Sequence, residues 1–395
     1  MKRPRVLMVV GAYFPELSGG SLQIRHLVRA LGDRAACTVL TTSAVRHPEP
    51  HEVDGVPVHR VYVDLSSRRS TAWAAVGLGR AFVRLAGSID LVQFNGFSRK
   101  SVLLMALARA LGKPRIVKLT SVGQDDPRAI RARTRVGFAV YRGAEMFIGI
   151  NPRQRELCLE AGIEPARFTF IPNGVDSARF RPATTVERSE LRRALDLPPD
   201  GPLTLSVGFF SREKQPGVLF EAWRRLPRPL AGGLVFVGAT QSRYHEVDPA
   251  LAPTIRAAAR AAGVEERLRF VERTDQIERY YRAVDAFALP STREGMPNAL
   301  LEAMASGLPC VTSRLPGVTD WFVDDGASGL LVAPGDVDAL TAALTRALGD
   351  REVATALGRC ARATVQARFP FDAVAGAYAE AYARLLGRAP ARTVR

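Results

Sequence analysis

Two carboxylates, Glu294 and Glu302, stand eight residues apart in a stretch suited to gripping a polyhydroxylated ligand. The apolar run 284–289 reads as a buried strand that stops at Pro290-Ser291, and a polar loop then carries Glu294 and Gly295. Pro297 opens a predicted helix that ends before Gly307 and Pro309, with Pro at the start and Gly just past the end. A helix N-terminus presents unpaired N–H groups and about half a positive charge, which suits hydroxyl or phosphate oxygens. Glu294 in the loop and Glu302 in the second helical turn can face one pocket from different backbone elements, each holding a separate part of the ligand. A second constellation, from Ser206 to Lys214, contains Gly208, Arg212 and Lys214 just after another strand-like run. A Lys and an Arg in a strand-to-helix loop can neutralise a diphosphate without a metal ion. A third feature, Gly19-Gly20, removes Cβ atoms where the backbone can approach a ligand.

Such residues need strands that end, and helices that begin, beside them. Strand-like runs at 6–10, 37–40, 58–63, 91–94, 115–119 and 146–150 alternate with predicted helices. The first helix is expected to be capped by Ser21; others cover 72–85, 101–111 and 128–141. A second series runs through strands at 203–207, 234–237, 268–271, 286–289 and 310–312, with helices at 216–226, near 253–262 and near 277–283. Helices at 337–348 and 371–386 close the chain. Pro172-Asn173-Gly174 interrupts both periodicities. The expected organisation is a Rossmann-like domain over 1–172, a linker over 173–186, a second Rossmann-like domain over 187–369 and a terminal helix over 370–388. This is an α/β chain with two doubly wound parallel sheets, whose ligands belong at the carboxyl ends of the strands.

The segment E-G-M-P-N-A-L-L-E-A-M-A-S-G-L-P, beginning at Glu294, resembles the E-x7-E signature of retaining glycosyltransferase family 4. The run from Gly208 to Lys214 is similar to that family's G-R-L-x-x-x-K segment, with Lys214 in the Lys position and Phe209 where Arg is common. The Gly19-Gly20 turn resembles its N-terminal glycine loop, and I-P-N-G-V-D, ending at Asp176, resembles its domain junction. P-G-V-T-D, with Asp320 in place of the usual Glu, and D-G-A-S-G-L-L-V from Asp325 continue the likeness. The resemblance is dense from Leu203 to Asp336 and patchy before Pro172. It implies the GT-B fold: an acceptor-binding first domain and a donor-binding second domain facing a cleft, with the last helix crossing back to the first.

The resemblance also implies an activity: transfer of a sugar from a nucleotide diphosphate to an acceptor hydroxyl, with the anomeric configuration retained and no metal or other cofactor. Lys214 and Arg212 would hold the diphosphate, helped by the Gly20 backbone. Glu302 would hold the ribose hydroxyls and Glu294 those of the transferred sugar. Backbone N–H groups of Gly295, Met296 and Asn298 would complete the sugar's cradle, and Thr274 would meet the base through its backbone. Glu294 acting as a nucleophile in a double displacement is the alternative chemistry. On the acceptor side, many family members carry a His where 118–126 stands here without one; Asp125 or Asp126 would orient the acceptor, or else serve as a turn or cap. The five histidines, His26, His47, His51, His59 and His245, are expected to be structural or solvated.

The chain has 395 residues, 47% hydrophobic, enough for two cored domains. No run resembles a signal peptide or approaches a membrane span, and four scattered cysteines without metal spacing suit a reduced, cytoplasmic protein with buried thiols. The net charge of +16 admits nucleic acid, an anionic membrane surface or acidic substrates as partners. Basic amphipathic segments around Arg68, Arg69, Trp73, Arg80 and Arg84, and around Arg128, Arg131, Arg133 and Arg135, would suit a lipid-linked acceptor at the inner face of a membrane. With only 7% aromatics and no aromatic-rich basic strand, nucleic-acid binding is not expected. A nicotinamide dehydrogenase would need G-x-G-x-x-G after the first strand, which is absent. A sugar-nucleotide epimerase of the same fold would need acid–base residues in its cleft.

Overall fold

The structure is a computed structural model, and it describes residues 3–14, 16, 19–46, 52–241 and 247–387. His47, His51 and His245 lie outside the described residues. The chain divides into two compact units, one comprising Met1–Gly174 with Phe371–Arg395, the other Val175–Pro370.

The first unit alternates β1 (Arg5–Val9), α1 (Gly19–Leu31), β2 (Ala36–Ser43), β3 (Glu52–Val53), β4 (Val56–Tyr62), α2 (Arg68–Ala86), β5 (Leu91–Asn95) and α3 (Arg99–Ala110). It continues with β6 (Arg115–Lys118), α4 (Pro127–Arg133), α5 (Arg135–Arg142), β7 (Met146–Gly149), α6 (Pro152–Glu160) and β8 (Phe168–Phe170). Its sheet has the order β3-β4-β2-β1-β5-β6-β7-β8, parallel except for the β3–β4 pair. Parallel strands covered on both faces read as continuous apolar runs, and Val6, Leu7 and Met8 in β1 are fully buried. One face packs under α2, α3 and α5 through Leu78, Phe82, Leu104 and Tyr141; the other carries Ile24, Leu27 and Leu31 of α1.

The second unit contains α7 (Thr185–Ala194), β9 (Leu203–Val207), α8 (Pro216–Arg224), β10 (Gly233–Val237), α9 (Leu251–Ala261), β11 (Leu268–Val271) and α10 (Ile277–Ala283). Then come β12 (Ala286–Leu289), α11 (Asn298–Ala305), β13 (Cys310–Ser313), β14 (Leu330–Val332), α12 (Val337–Gly349) and α13 (Arg351–Arg368). All pairs in its six-stranded sheet, ordered β11-β10-β9-β12-β13-β14, are parallel. The final helix α14 (Phe371–Leu385) returns to the first unit and packs on α1, burying Val374, Tyr378 and Tyr382; the Tyr382 hydroxyl donates to Gln93 Oε1 at 2.7 Å.

Several expectations need correction. Ser21 is not a cap: α1 starts at Gly19 and Ser21 is buried within its first turn. The expected helix 128–141 is two helices, because Thr134 leaves helical geometry and caps the second by accepting from Gly137 N. Thr185 and Val186, expected in a linker, open α7 under the Thr184 cap. The strands β3, β8 and β14 and the helices α6, α7 and α13 are not among the expected elements. Cys158 and Cys310 are buried, Cys37 is half-buried and Cys360 is exposed, so the thiols are not uniformly interior.

Candidate functional site

In the second unit the chain runs outward from β9 to β10 and β11, then returns to the other side of β9 as β12. Loops leaving the carboxyl ends of β9 and β12 therefore depart in opposite directions, and the space between them is where an open α/β sheet binds its ligand. The β9 loop carries Lys214 and the β12 loop carries Glu294, so topology alone brings the two residues to one crevice.

The contacts are direct. Lys214 Nζ lies 2.5 Å from Glu294 Oε1, with Glu294 only 8% exposed. Beside this ion pair, Thr292 N donates to Glu213 O at 2.8 Å and Arg293 Nη2 meets Glu213 Oε1 at 2.5 Å. Three consecutive residues of one loop thus engage two of the other. The Lys214 stem lies along Gly208, where an added Cβ would come within 3.5 Å of Lys214 Cε. The neighbouring carboxyl end is tighter still, since a Cβ on Gly238 would sit 2.0 Å from Gly208 O. Only glycine fits there. Lys214 is followed by Gln215, a non-glycine residue in the left-handed region at φ 54°, and by Pro216, which opens α8. A residue held there costs about 1–3 kcal/mol, which the surrounding packing must offset.

Glu302 lies in the second turn of α11, whose start is Asn298, with Pro297 just before it as the N-cap. The Tyr281 hydroxyl donates to Glu302 Oε2 at 2.9 Å, and burial pushes the Glu302 carboxyl up to about 7 despite that bond. Met296 and Gly295 are buried in the turn ahead of the helix. Ser291, in the same β12 loop, is buried with its hydroxyl unpartnered among the described residues.

Other expected residues are placed elsewhere. Arg212 does not join Lys214: its side chain is 86% exposed and pairs with Asp248 at 2.8 Å, because the short turn 212–214 points it away from the β12 loop. Thr274 lies past β11, an edge strand, and its Oγ1 accepts from Gln276 N at 3.0 Å. Gly19 and Gly20 open α1 in the first unit, both exposed. Asp125 and Asp126 are corrected from the acceptor side to structural roles, each 1% exposed. Asp125 accepts from Thr120 N, Thr120 Oγ1 and Ser121 N, and Asp126 caps α4 by accepting from Ala129 N. Neither of these two carboxylates faces solvent.

Sequence reasoning missed Tyr281, the Arg293–Glu213 pair and two lysines of the first unit, the half-buried Lys100 and the buried Lys118. Lys100 Nζ donates to Val10 O at 2.7 Å, Gly11 O at 3.1 Å and Thr42 Oγ1 at 3.1 Å, and burial lowers its pKa to about 8. Lys118 donates to Asn173 Oδ1 at 3.2 Å and is likewise lowered by burial to about 8. No motif flags a lysine whose partners are carbonyls distant in sequence.

Comparison with known proteins agrees with this architecture. Residues 18–174 match the family model "Glycosyl transferase 4-like domain" and residues 187–364 match "Glycosyl transferases group 1". A D-inositol 3-phosphate glycosyltransferase of Saccharomonospora viridis is 30% identical over 311 residues, 74% of this chain and 68% of that protein. The lipopolysaccharide core biosynthesis glycosyltransferase LpsE of Rhizobium meliloti is 32% identical over 187 residues, 47% of this chain; the match spans about half of that relative, 51%. The crystal structure of Anabaena Alr3699/HepE in complex with UDP and glucose superposes with a TM-score of 0.80 at 18% identity, covering 97% of this chain and all of that one. The fold is GT-B.

Proposed function

Because this chain belongs to the glycosyltransferases that join a 4-like domain to a group 1 domain, we propose that it moves a sugar from a nucleotide diphosphate sugar to an acceptor hydroxyl, with retention and without a metal ion. The observation that carries this reading is the Lys214–Glu294 pair at the switch point of the second unit. A diphosphate entering there competes for Lys214, releasing Glu294 to accept hydrogen bonds from the sugar hydroxyls. Lys214 then lies against the charge that grows as the bond between the anomeric carbon and the phosphate oxygen breaks, where a fixed cation lowers the barrier most. The electron pair of that bond leaves with the diphosphate. The acceptor oxygen forms the new bond on the same face, and its proton passes to the departing phosphate oxygen. The rival chemistry is a double displacement with Glu294 as nucleophile, for which a glycosyl group trapped covalently on Glu294 would be the evidence. Glu302, supported by Tyr281, holds the ribose hydroxyls as an ionised acceptor. The acceptor proposed is a hydroxyl on a lipid-linked molecule at an anionic membrane surface.

A thermal-shift series with UDP, GDP, ADP and dTDP sugars, with and without EDTA, tests the donor side. Stabilisation by the sugars of one nucleotide, kept in EDTA and lost in Lys214→Ala, supports the assignment. No shift with any of them overturns it. Product anomers resolved by proton NMR decide retention.

A further inference from the structure

Between residues 65 and 144 the chain has fifteen Lys and Arg and only three acids, Asp90, Asp125 and Asp126. None of the three acids faces solvent freely: Asp90 accepts from Arg5, and the other two are buried in the contacts described above. This stretch forms the helical layer α2, α3, α4 and α5, which packs on one face of the first unit's sheet through Leu78, Phe82, Leu104, Ile130 and Tyr141. The outer side of that layer is therefore basic without interspersed acid. The Glu156 and Glu160 carboxylates of α6, beyond α4, are already paired with Arg153.

α2 shows what the layer presents. Ala74, Leu78, Phe82 and Ala86, each four residues on from the last, are buried against the sheet. The opposite stripe carries Arg69, Trp73, Val76, Arg80, Val83 and Arg84, all exposed, with Trp73 71% exposed. A helix placing its only tryptophan and two valines in solvent, among four arginines and no acid, has a second apolar face beyond the one its own fold uses. On α5, Val136 is also 71% exposed, beside the exposed Arg135.

We propose that the outer face of the α2–α5 layer docks on an anionic lipid bilayer, with Trp73, Val76 and Val83 entering the interface and the flanking arginines meeting headgroup phosphates. Tryptophan favours the boundary between headgroups and acyl chains, and each basic side chain near an anionic surface adds to the attraction. A nucleic acid would satisfy the arginines but would leave the valines uncovered, and it would want a row of aromatic platforms where this face has one tryptophan. No helix among the described residues is long and apolar enough to cross a membrane, so the face lies on the bilayer and does not span it. The inference deepens the proposed function by placing the acceptor at that surface.

The test is sedimentation of the whole protein with vesicles of neutral phosphatidylcholine and of the same lipid containing phosphatidylglycerol, at low and high salt, with Trp fluorescence recorded in parallel. The expected result is salt-sensitive binding to the anionic vesicles only. The emission should shift to the blue through Trp73 and not in Trp73→Ala, since Trp223 is fully buried and Trp321, in the second unit, is packed against Phe322, Phe369 and Arg368. Arg69→Glu/Arg80→Glu/Arg84→Glu should lower partitioning by roughly a hundredfold, and Trp73→Ala by about tenfold. Both variants should keep the wild-type melting temperature and the wild-type shift with the donor sugar, which shows them folded. Loss of the donor shift in wild type with vesicle binding intact removes the proposed function alone. Absence of vesicle binding with the donor shift intact removes the docking surface alone. Tighter binding to duplex DNA than to anionic vesicles, unchanged by Trp73→Ala, also overturns the docking surface.

Discussion

Each unit has a lysine at the switch point of its sheet, and the two lysines do opposite things. In the second unit, β9 lies between β10 and β12, and Lys214 reaches across to a carboxylate on the other loop. In the first unit, β1 lies between β2 and β5, and Lys100, at the start of α3, spends its donors on the Val10 and Gly11 carbonyls and the Thr42 hydroxyl. Lys214 has a partner that an anion can replace. Lys100 is a half-buried strut bonded to two backbone carbonyls and a hydroxyl. The same residue type takes different partners at the two switch points: Lys214, on the loop after the central strand β9, meets the Glu294 carboxylate, whereas Lys100, beyond the neighbouring strand β5, is bonded to carbonyls and a hydroxyl, with Glu16 favouring its charge.

The sharpest way to break this comparison is to remove each lysine. Lys214→Ala should lower kcat by about a thousandfold, the scale of losing one preorganised charge contact in a transition state. It should also abolish the donor thermal shift. Lys100→Met should leave the donor shift intact and change stability in urea by no more than about 1–2 kcal/mol, since the Val10 and Gly11 carbonyls keep the Thr41 hydroxyl as a donor. If Lys100→Met removed the donor shift and Lys214→Ala did not, the two roles would be reversed.

A second contrast comes from pH. Lys100 and Lys118 have folded pKa values lowered to about 8 from 10.5, so the unfolded chain binds more protons between those values. Their contribution makes stability rise with pH from about 8 to 10.5, and Lys100→Met should flatten that rise in denaturation midpoints. Glu302 in the second unit works in the other sense. Its pKa is raised from 4.5 to about 7, the folded state binds the extra proton, and its contribution to stability falls as pH climbs through that window. Glu302→Gln should therefore raise the melting temperature of the free protein above pH 7, while weakening donor binding about tenfold and removing its loss below pH 7. Calorimetry with and without donor reads both effects.

The smallest expected effect lies at the rim. Arg293→Ala breaks a half-exposed pair with Glu213, worth up to about 1 kcal/mol, and should change kcat only a few-fold. A loss as large as that of Lys214→Ala would mean Arg293 replaces the cation missing at Phe209.

Much of this was legible because Lys214 follows the β-prone run Leu203–Val207 and Glu294 follows the wholly apolar Ala286–Leu289, and strand ends are readable from such runs. Pro297 and Gly307 mark the boundaries of α11 almost to the residue. The strands β3, β8 and β14, two or three residues long, are too short for any period to emerge. α13 starts at Arg351, under the Asp350 cap, immediately where α12 ends, so no loop composition separates the two. Asp125 and Asp126 look reactive as a pair, yet the backbone N–H groups that consume them are visible only once the loop is folded. Arg212 illustrates the same limit: its charge was readable, its direction was not. Tyr281 acquires its role solely through the packing of α10 on α11.

The backbone bond from Thr292 to Glu213 has a kinetic implication. Two loops separated by 79 residues in sequence are joined by a backbone bond beside two ion pairs, so neither can swing outward alone. Entry of a ligand, and its departure afterwards, must then be accommodated by both loops moving as one plate or by the side chains alone. The cadence of turnover is in that case governed by how often this latch loosens.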